Sequence, residues 1–189
     1  VDLGGAESCL PRCNMAFGER FRYGERIKAL VAEVRDVRKQ TKDGVPVPPP
    51  TGRRERDQVP KDALVILTRR DPDLVVRLFE QEVAEMRDGI VSIRKIAREP
   101  GRRSKIAVLS SDSNVDPVGA CVGMKGSRVQ MVVQELRGER IDIVEYSDDK
   151  RRFVANSLKP AEIESVELSE DGKRALLMVK DDELSLAIG

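Results

Sequence analysis

The sequence predicts an α+β chain in which a strand-rich opening segment gives way to two related helix-and-strand units. Three observations carry that prediction. The hydrophobic period switches from about 2 to about 3.6 residues near Asp71. From there the elements come in the order helix, strand, strand, helix, helix, strand, and the two middle helices meet at a G-x-x-G. The order then starts again, with Leu186-Ala187-Ile188-Gly189 lining up on Ala120-Cys121-Val122-Gly123.

In the opening segment, Val1-Asp2-Leu3 and Ala6-Glu7-Ser8-Cys9-Leu10 are short extended runs closed by Gly4-Gly5 and Pro11. Residues 26–34 alternate charged and apolar side chains at several positions, as a half-exposed strand does. Residues 45–60, with Pro46, Pro48, Pro49 and Pro50, cannot supply a central strand and read as an extended insertion. Residues 63–68 resume the sheet. Three or four strands are too few to close a small barrel, so residues 1–70 read as part of a β module that starts upstream of Val1. With no initiating Met, the chain reads as a piece of a longer protein.

Asp71 caps a helix whose first position is Pro72, where a missing N–H costs nothing. Leu74, Val75, Leu78, Phe79, Val83 and Met86 recur at helical spacing, and Asp88-Gly89 ends the run. Residues 90–97 and 105–109 are strands joined through Glu99-Pro100-Gly101-Arg102, which places Arg102, Arg103 and Lys105 at a solvated hairpin tip. Asp116-Pro117 opens a short helix that stops at Gly123. Beyond Gly126, Val129, Val132, Val133 and Leu136 give a second helix one buried face, and Gly138 stops it. Residues 140–146 are the third strand and complete a unit over 71–147. In 148–189, residues 151–158 are helical, 163–168 and 175–179 are strands around Glu170-Asp171-Gly172, and Glu183 starts a short helix.

Composition excludes several function classes. The 189 residues hold 34 Lys+Arg and 33 Asp+Glu, but the balance is uneven. Residues 90–130 carry 8 basic and 3 acidic side chains, a net of +5, and residues 131–189 carry 9 and 14, a net of −5. A basic middle is the footprint of local polyanion binding, and equally of a solvated charged face. There is no His, so the commonest general base and metal ligand is missing. Three scattered Cys make no disulfide framework and suit a reducing compartment; Cys9 and Cys13 alone do not make a metal site. No apolar run approaches the roughly 20 residues of a membrane span, so a soluble protein is expected.

Gly123-Met124-Lys125-Gly126 carries the chemistry. Glycines let a nucleic-acid backbone approach without a Cβ in the way. The helix beginning at Ser127 offers N–H groups and a positive dipole end to phosphate. Lys125 and Arg128 add charge, while Val122, Ile141 and Ile143 can line an adjoining apolar groove for bases. On its own a G-x-x-G is also an ordinary tight turn. It is not a Walker loop, because Lys125-Gly126-Ser127 inverts the Gly-Lys-Ser order. Phe17, Phe21 and Tyr23 alternate with Arg20, Arg22 and Lys28, a pattern of base stacking or of loop and core packing. Cys121, behind the loop, reads as packing.

Helix–strand–strand–helix–G-x-x-G–helix–strand, αββααβ, is the order of a type II KH domain, whose loop clamps about four nucleotides. Asn114-Val115-Asp116-Pro117-Val118-Gly119-Ala120-Cys121-Val122-Gly123-Met124-Lys125-Gly126-Ser127-Arg128-Val129-Gln130 closely resembles the first KH domain of the NusA family of bacterial transcription factors. So do Ala97-Arg98-Glu99-Pro100-Gly101 and Gly138-Glu139-Arg140-Ile141-Asp142-Ile143-Val144. Leu184-Ser185-Leu186-Ala187-Ile188-Gly189 resembles the approach to that family's second KH loop, and the strands near Val1-Asp2-Leu3-Gly4 and Leu10-Pro11 resemble its OB-type barrel. Met124 stands where a Pro is expected.

The resemblance implies a partial OB-fold barrel over 1–70, a first KH domain over 71–147 and a truncated second KH domain over 148–189. It further implies a cytoplasmic, non-enzymatic factor in pausing, termination and antitermination that binds nascent single-stranded RNA and RNA polymerase and needs no cofactor. The expected RNA-binding residues are Val122, Gly123, Met124, Lys125, Gly126, Ser127, Arg128, Ile141, Ile143, Arg102, Arg103 and Lys105. Two alternatives are a nucleotide-phosphate-binding enzyme and a KH-containing RNA-processing protein. The first needs a carboxylate pair by the loop, where only Asp112 and Asp116 stand, and Asp116 reads as a helix cap. The second needs a catalytic domain for which no motif is present.

Overall fold

The structure, a computed structural model, describes residues 1–4, 8–35, 41–42, 45–46 and 64–188. Most of the proline-rich insertion expected at 45–60 lies outside the described residues. In the opening segment, β1 (Ser8–Cys9), β5 (Val65–Thr68) and β2 (Leu30–Val34) form a sheet in that order. β1 runs parallel to β5, and β2 runs antiparallel to it. Strand β2 is shorter than the alternating run 26–34. Two further two-residue strands, β3 (Thr41–Lys42) and β4 (Val45–Pro46), pair with each other.

The first helical unit begins as its sequence dictates. The Asp71 carboxylate accepts from the Asp73 N–H at 2.9 Å, and α1 spans Asp73–Glu82. The helix does not run on to Met86. At Val83 the backbone turns extended (φ −111°, ψ 108°), and a separate turn, α2 (Ala84–Arg87), follows. The break points Val83 into the core with no exposure while Met86 stays buried, so the apolar pattern survives the change of axis. Strands β6 (Val91–Glu99), β7 (Arg103–Ser110) and β8 (Arg140–Glu145) form a sheet in sequence order, β6 antiparallel and β8 parallel to β7.

Strand alternation sorts this sheet into two faces. Ile106 and Val108 of β7, beside Ile96 of β6 and Ile141 and Ile143 of β8, meet α1, α3 (Pro117–Val122) and α4 (Ser127–Glu135) in one core with Leu74, Val75, Leu78, Phe79, Cys121, Val132 and Leu136. The opposite face carries Arg103, Lys105 and Ala107 of β7 and Arg140, Asp142 and Val144 of β8.

That second face is partly covered by the next unit. Helix α5 (Lys150–Ser157), capped by the Asp149 carboxylate on the Arg151 N–H at 2.9 Å, packs on β8. Asn156 Nδ2 donates to the Glu145 carbonyl at 3.1 Å, and the Tyr146 and Phe153 rings lie 5.2 Å apart. Ala107 and Val144 are buried. An antiparallel pair, β9 (Ile163–Leu168) and β10 (Ala175–Val179), follows, then α6 (Leu184–Ile188). Among the described residues no helix is long and apolar enough to cross a membrane.

Candidate nucleic-acid interface

The loop between α3 and α4 is built by its glycines. The Asp116 carboxylate caps α3 by accepting from the Val118 N–H at 3.0 Å. Gly123 then leaves the helix at φ 73°, ψ 174°, a conformation only glycine adopts at ease. A Cβ on Gly123 would stand 2.7 Å from Arg128 Cγ, so the position has no room for a side chain. Gly126 is left-handed (φ 78°, ψ 13°), with only Val129 Cγ1 within 4.0 Å of an added Cβ. Between them, Lys125 itself is left-handed (φ 52°) and Met124 is 82% exposed. Lys125 and Ser127 face solvent, and no side chain caps the N-terminus of α4. The result is an exposed cation on a tight loop at the open positive end of a helix.

Arg128 has a different position from Lys125. Its Nη1 donates to Glu85 at 2.9 and 3.2 Å and to the Ala120 carbonyl at 2.7 Å, tying α4 to α2 and to the end of α3. Glu85 is held below the ordinary carboxylate range, first by its own backbone N–H and then, against some loss of hydration, by Arg128. Arg128 therefore braces the loop from beneath. Behind it, Cys121 has no exposure, and burial pushes its thiol up to about 12. A thiol reagent at neutral pH is accordingly expected to label only the half-buried Cys9 and Cys13 in the folded chain, and Cys121 only after unfolding. Three labels on the native protein would contradict this packing.

Val122, at the end of α3, and Ile141 and Ile143, on β8, are half-buried, and the two isoleucines pack against the core. β8 is the outer strand of its sheet. Along it an open cleft of about 870 Å³ runs between residues 141–144 and residues 155–163. At the start of the strand, Arg102 and Arg103 are exposed. Arg102 lies over the Phe17 ring, 4.6 Å from its centroid, and Arg103 Nε donates to Asp142 at 2.6 Å. Lys105 departs from the expectation of a solvated tip. β7 begins at Arg103, so Lys105 lies inside the strand, and its half-buried Nζ donates to the Ser157 carbonyl in the last turn of α5 at 2.5 Å.

Comparison with known proteins identifies the two units by sequence. Residues 69–146 match the NusA-like first KH domain, and residues 150–189 match the NusA-like second KH domain. The whole chain aligns with proteins named transcription termination/antitermination protein NusA. Identity is 42% over 189 residues with that of Halalkalibacterium halodurans, and 40% over 189 residues with those of Thermus thermophilus and Bacillus subtilis. The chain belongs to the NusA family. It spans less than half of these NusA relatives, 44%, 43% and 45% of their lengths respectively.

The NusA-like first KH unit rests on two buried ion pairs. Arg98 and Glu139 are 1% and 0% exposed at their side chains, with Nε to Oε1 at 2.9 Å and Nη2 to Oε2 at 3.0 Å. Burial alone pushes the Glu139 carboxyl up. Hydrogen bonds from Arg98, Ser104 and the Gly101 N–H, with the Arg98 charge, outweigh it and leave the group below its ordinary range. Arg69 is buried between the opening segment and α4, with Nε 2.7 Å from Glu19 Oε1 and Nη2 2.8 Å from the Glu135 carbonyl. Its Nη1 bonds the Lys28 carbonyl. Neither pair was among the residues expected from sequence. The only signal for Arg98 and Glu139 was that both fall inside the segments carrying the family resemblance.

Proposed function

We propose that this chain is the RNA-binding part of a transcription elongation factor that captures nascent single-stranded RNA and acts in pausing, termination and antitermination. The observation that carries the reading is the exposed Met124-Lys125 pair, held between two positive-φ glycines at the uncapped N-terminus of α4. Phosphate docks there on N–H groups, dipole and Lys125 charge, while bases enter the cleft along Ile141 and Ile143. The names of the NusA relatives support the transcriptional role, with RNA polymerase as a partner of the whole protein. On this reading the protein is a cytoplasmic binding factor, not an enzyme. Residues 1–70 belong to an OB-type barrel, 71–147 are the first KH domain and 148–189 open the second. Ser127 and Arg102 complete the phosphate contacts. Gly123, Gly126 and Val122 shape the approach, and Arg103, Lys105 and Arg128 act at its border.

Titration of fluorescent single-stranded RNA into the chain tests this. Replacing Met124 and Lys125 together by Asp is expected to weaken binding at least tenfold and flatten its salt dependence, with the thermal melt unchanged because both side chains are in solvent. Equal affinity of variant and parent would refute the loop as the clamp. Failure to bind RNA alongside binding of a nucleotide would refute the assignment.

A further inference from the structure

We infer that Met124 is a site of reversible oxidation to the sulfoxide, through which a hydroperoxide weakens the grip of the loop on RNA. This rests on the RNA-binding reading above and adds a means of regulation to the same site. All five methionines of the chain lie among the described residues, and they differ in access. Met124 is 82% exposed, Met131 on α4 52% and Met178 on β10 58%, while Met15 is half-buried and Met86 lies in the core. The exposure of Met124 is built into the loop. The Gly126 N–H donates to the Gly123 carbonyl at 3.1 Å, and the Ser127 N–H donates to the carbonyl of Met124 itself. With its backbone pinned in this way, the residue cannot turn its side chain into the core.

The chemistry suits what surrounds the sulfur. Its lone pair attacks one oxygen of hydrogen peroxide, the O–O bond breaks, and the other oxygen leaves as hydroxide and takes a proton from solvent to become water. Sulfur gives up two electrons, the peroxide takes them up, and the transferred oxygen stays on Met124. The neighbouring Lys125 ammonium is exposed and forms no ion pair with any described residue, so its charge favours the departing hydroxide. The product changes the site in which it stands. An apolar, adaptable side chain becomes a polar one with a strong acceptor oxygen and no donor. Lys125 is the next residue of the same tight loop, and the N-terminus of α4 has no side-chain cap, so both offer donors to that oxygen. Those are the donors on which phosphate docks in the RNA-binding reading. The sulfoxide therefore competes with phosphate for them and sets the negative end of its own dipole against the anion. Proline, the residue expected at this position, carries no sulfur, so the response belongs to this chain's own side chain.

The test treats the full chain with hydrogen peroxide, follows each methionine by peptide mass mapping, and titrates labelled single-stranded RNA. Met124 is expected to convert ahead of Met131 and Met178, with Met86 protected until the chain unfolds. Its conversion is expected to weaken RNA binding about fivefold, the loss of one hydrogen-bonded phosphate. The salt slope is expected to fall by about 0.7, one phosphate contact fewer on a single strand. Methionine sulfoxide reductases with a dithiol are expected to restore both. Met124→Leu keeps an apolar side chain in place and is expected to bind RNA as the parent does and to lose nothing on peroxide treatment. It holds the same cysteines and the other methionines, so it separates Met124 from every other oxidised group. Loss of affinity by that variant equal to the parent's would overturn the inference, and so would conversion of Met124 no faster than that of Met178. Unchanged affinity of the fully converted parent, with the Met124/Lys125 Asp variant still defective, would overturn it and leave the loop reading intact. If the Asp variant binds RNA normally, the reading beneath the inference fails first.

Discussion

Glu139→Gln is expected to destabilise the chain by about 3–5 kcal/mol, the cost of leaving one member of a buried ion pair without its partner. Four donors saturate the carboxylate: Arg98 Nε and Ser104 Oγ reach Oε1 at 2.9 and 2.6 Å, and Arg98 Nη2 and the Gly101 N–H reach Oε2 at 3.0 and 2.7 Å. The amide has nearly the same shape but turns one acceptor into a donor facing donors, and it strands the Arg98 charge. Urea denaturation measures the loss. A variant within 1 kcal/mol of the parent would show that the network holds little. Arg98→Met with Glu139→Leu is expected to recover only part of the stability: no charge is left behind, but Ser104 Oγ and the Gly101 N–H lose their acceptor. The same carboxylate sets an acid dependence. Its folded value lies below its ordinary 4.5, so its contribution is complete above that pH and is lost as pH falls through the folded value. The Gln variant lacks that part of the acid slope.

Arg69→Met is expected to cost a similar amount, about 3–5 kcal/mol, and to act at one seam. Glu19 is 2% exposed at its side chain; among the described residues its carboxylate accepts, besides Arg69, only the Ala16 N–H, at 3.0 Å. Without Arg69 its charge is buried and unpaired, and the Lys28 and Glu135 carbonyls lose their donor. Arg69→Lys is expected to recover only part of the loss, since an ammonium lacks the planar fork that reaches several acceptors at once. Hydrogen exchange separates this from general unfolding. Protection is expected to fall in residues 14–28 while β6, β7 and β8 keep theirs. Equal loss throughout would mean that Arg69 holds the whole chain and not the junction.

Much of this was legible in the sequence where short-range rules decide. Asp116-Pro117, Gly123, Gly126 and Gly138 fix helix ends by local sterics and capping, and α3 and α4 end where those residues place them. The break at Val83 was not legible, because Val83 and Met86 fit a continuous helical stripe; only packing against the core decides that the axis bends. Lys105 read as one of three cations at a turn. That it reaches the end of α5 depends on which face of β7 it occupies, and so on where the turn begins. Buried ion pairs are long-range by nature: Arg69 and Glu19 are 50 residues apart, and neither has a local feature that marks it as buried.

α5 belongs by sequence to the second KH match, yet it covers the otherwise bare side of the first sheet. The seam in the chain and the seam in the packing therefore fall at different places. A cut after Tyr146 would look clean on the sequence but would strip the cover from Ala107 and Val144 and leave Lys105 without its acceptor. It would also uncover β8, an outer strand with backbone groups unclaimed by any described strand, which is the form of edge that recruits a neighbour's strand. Dissecting the protein into single units would then measure the stickiness of a newly made surface alongside the affinity of the unit itself.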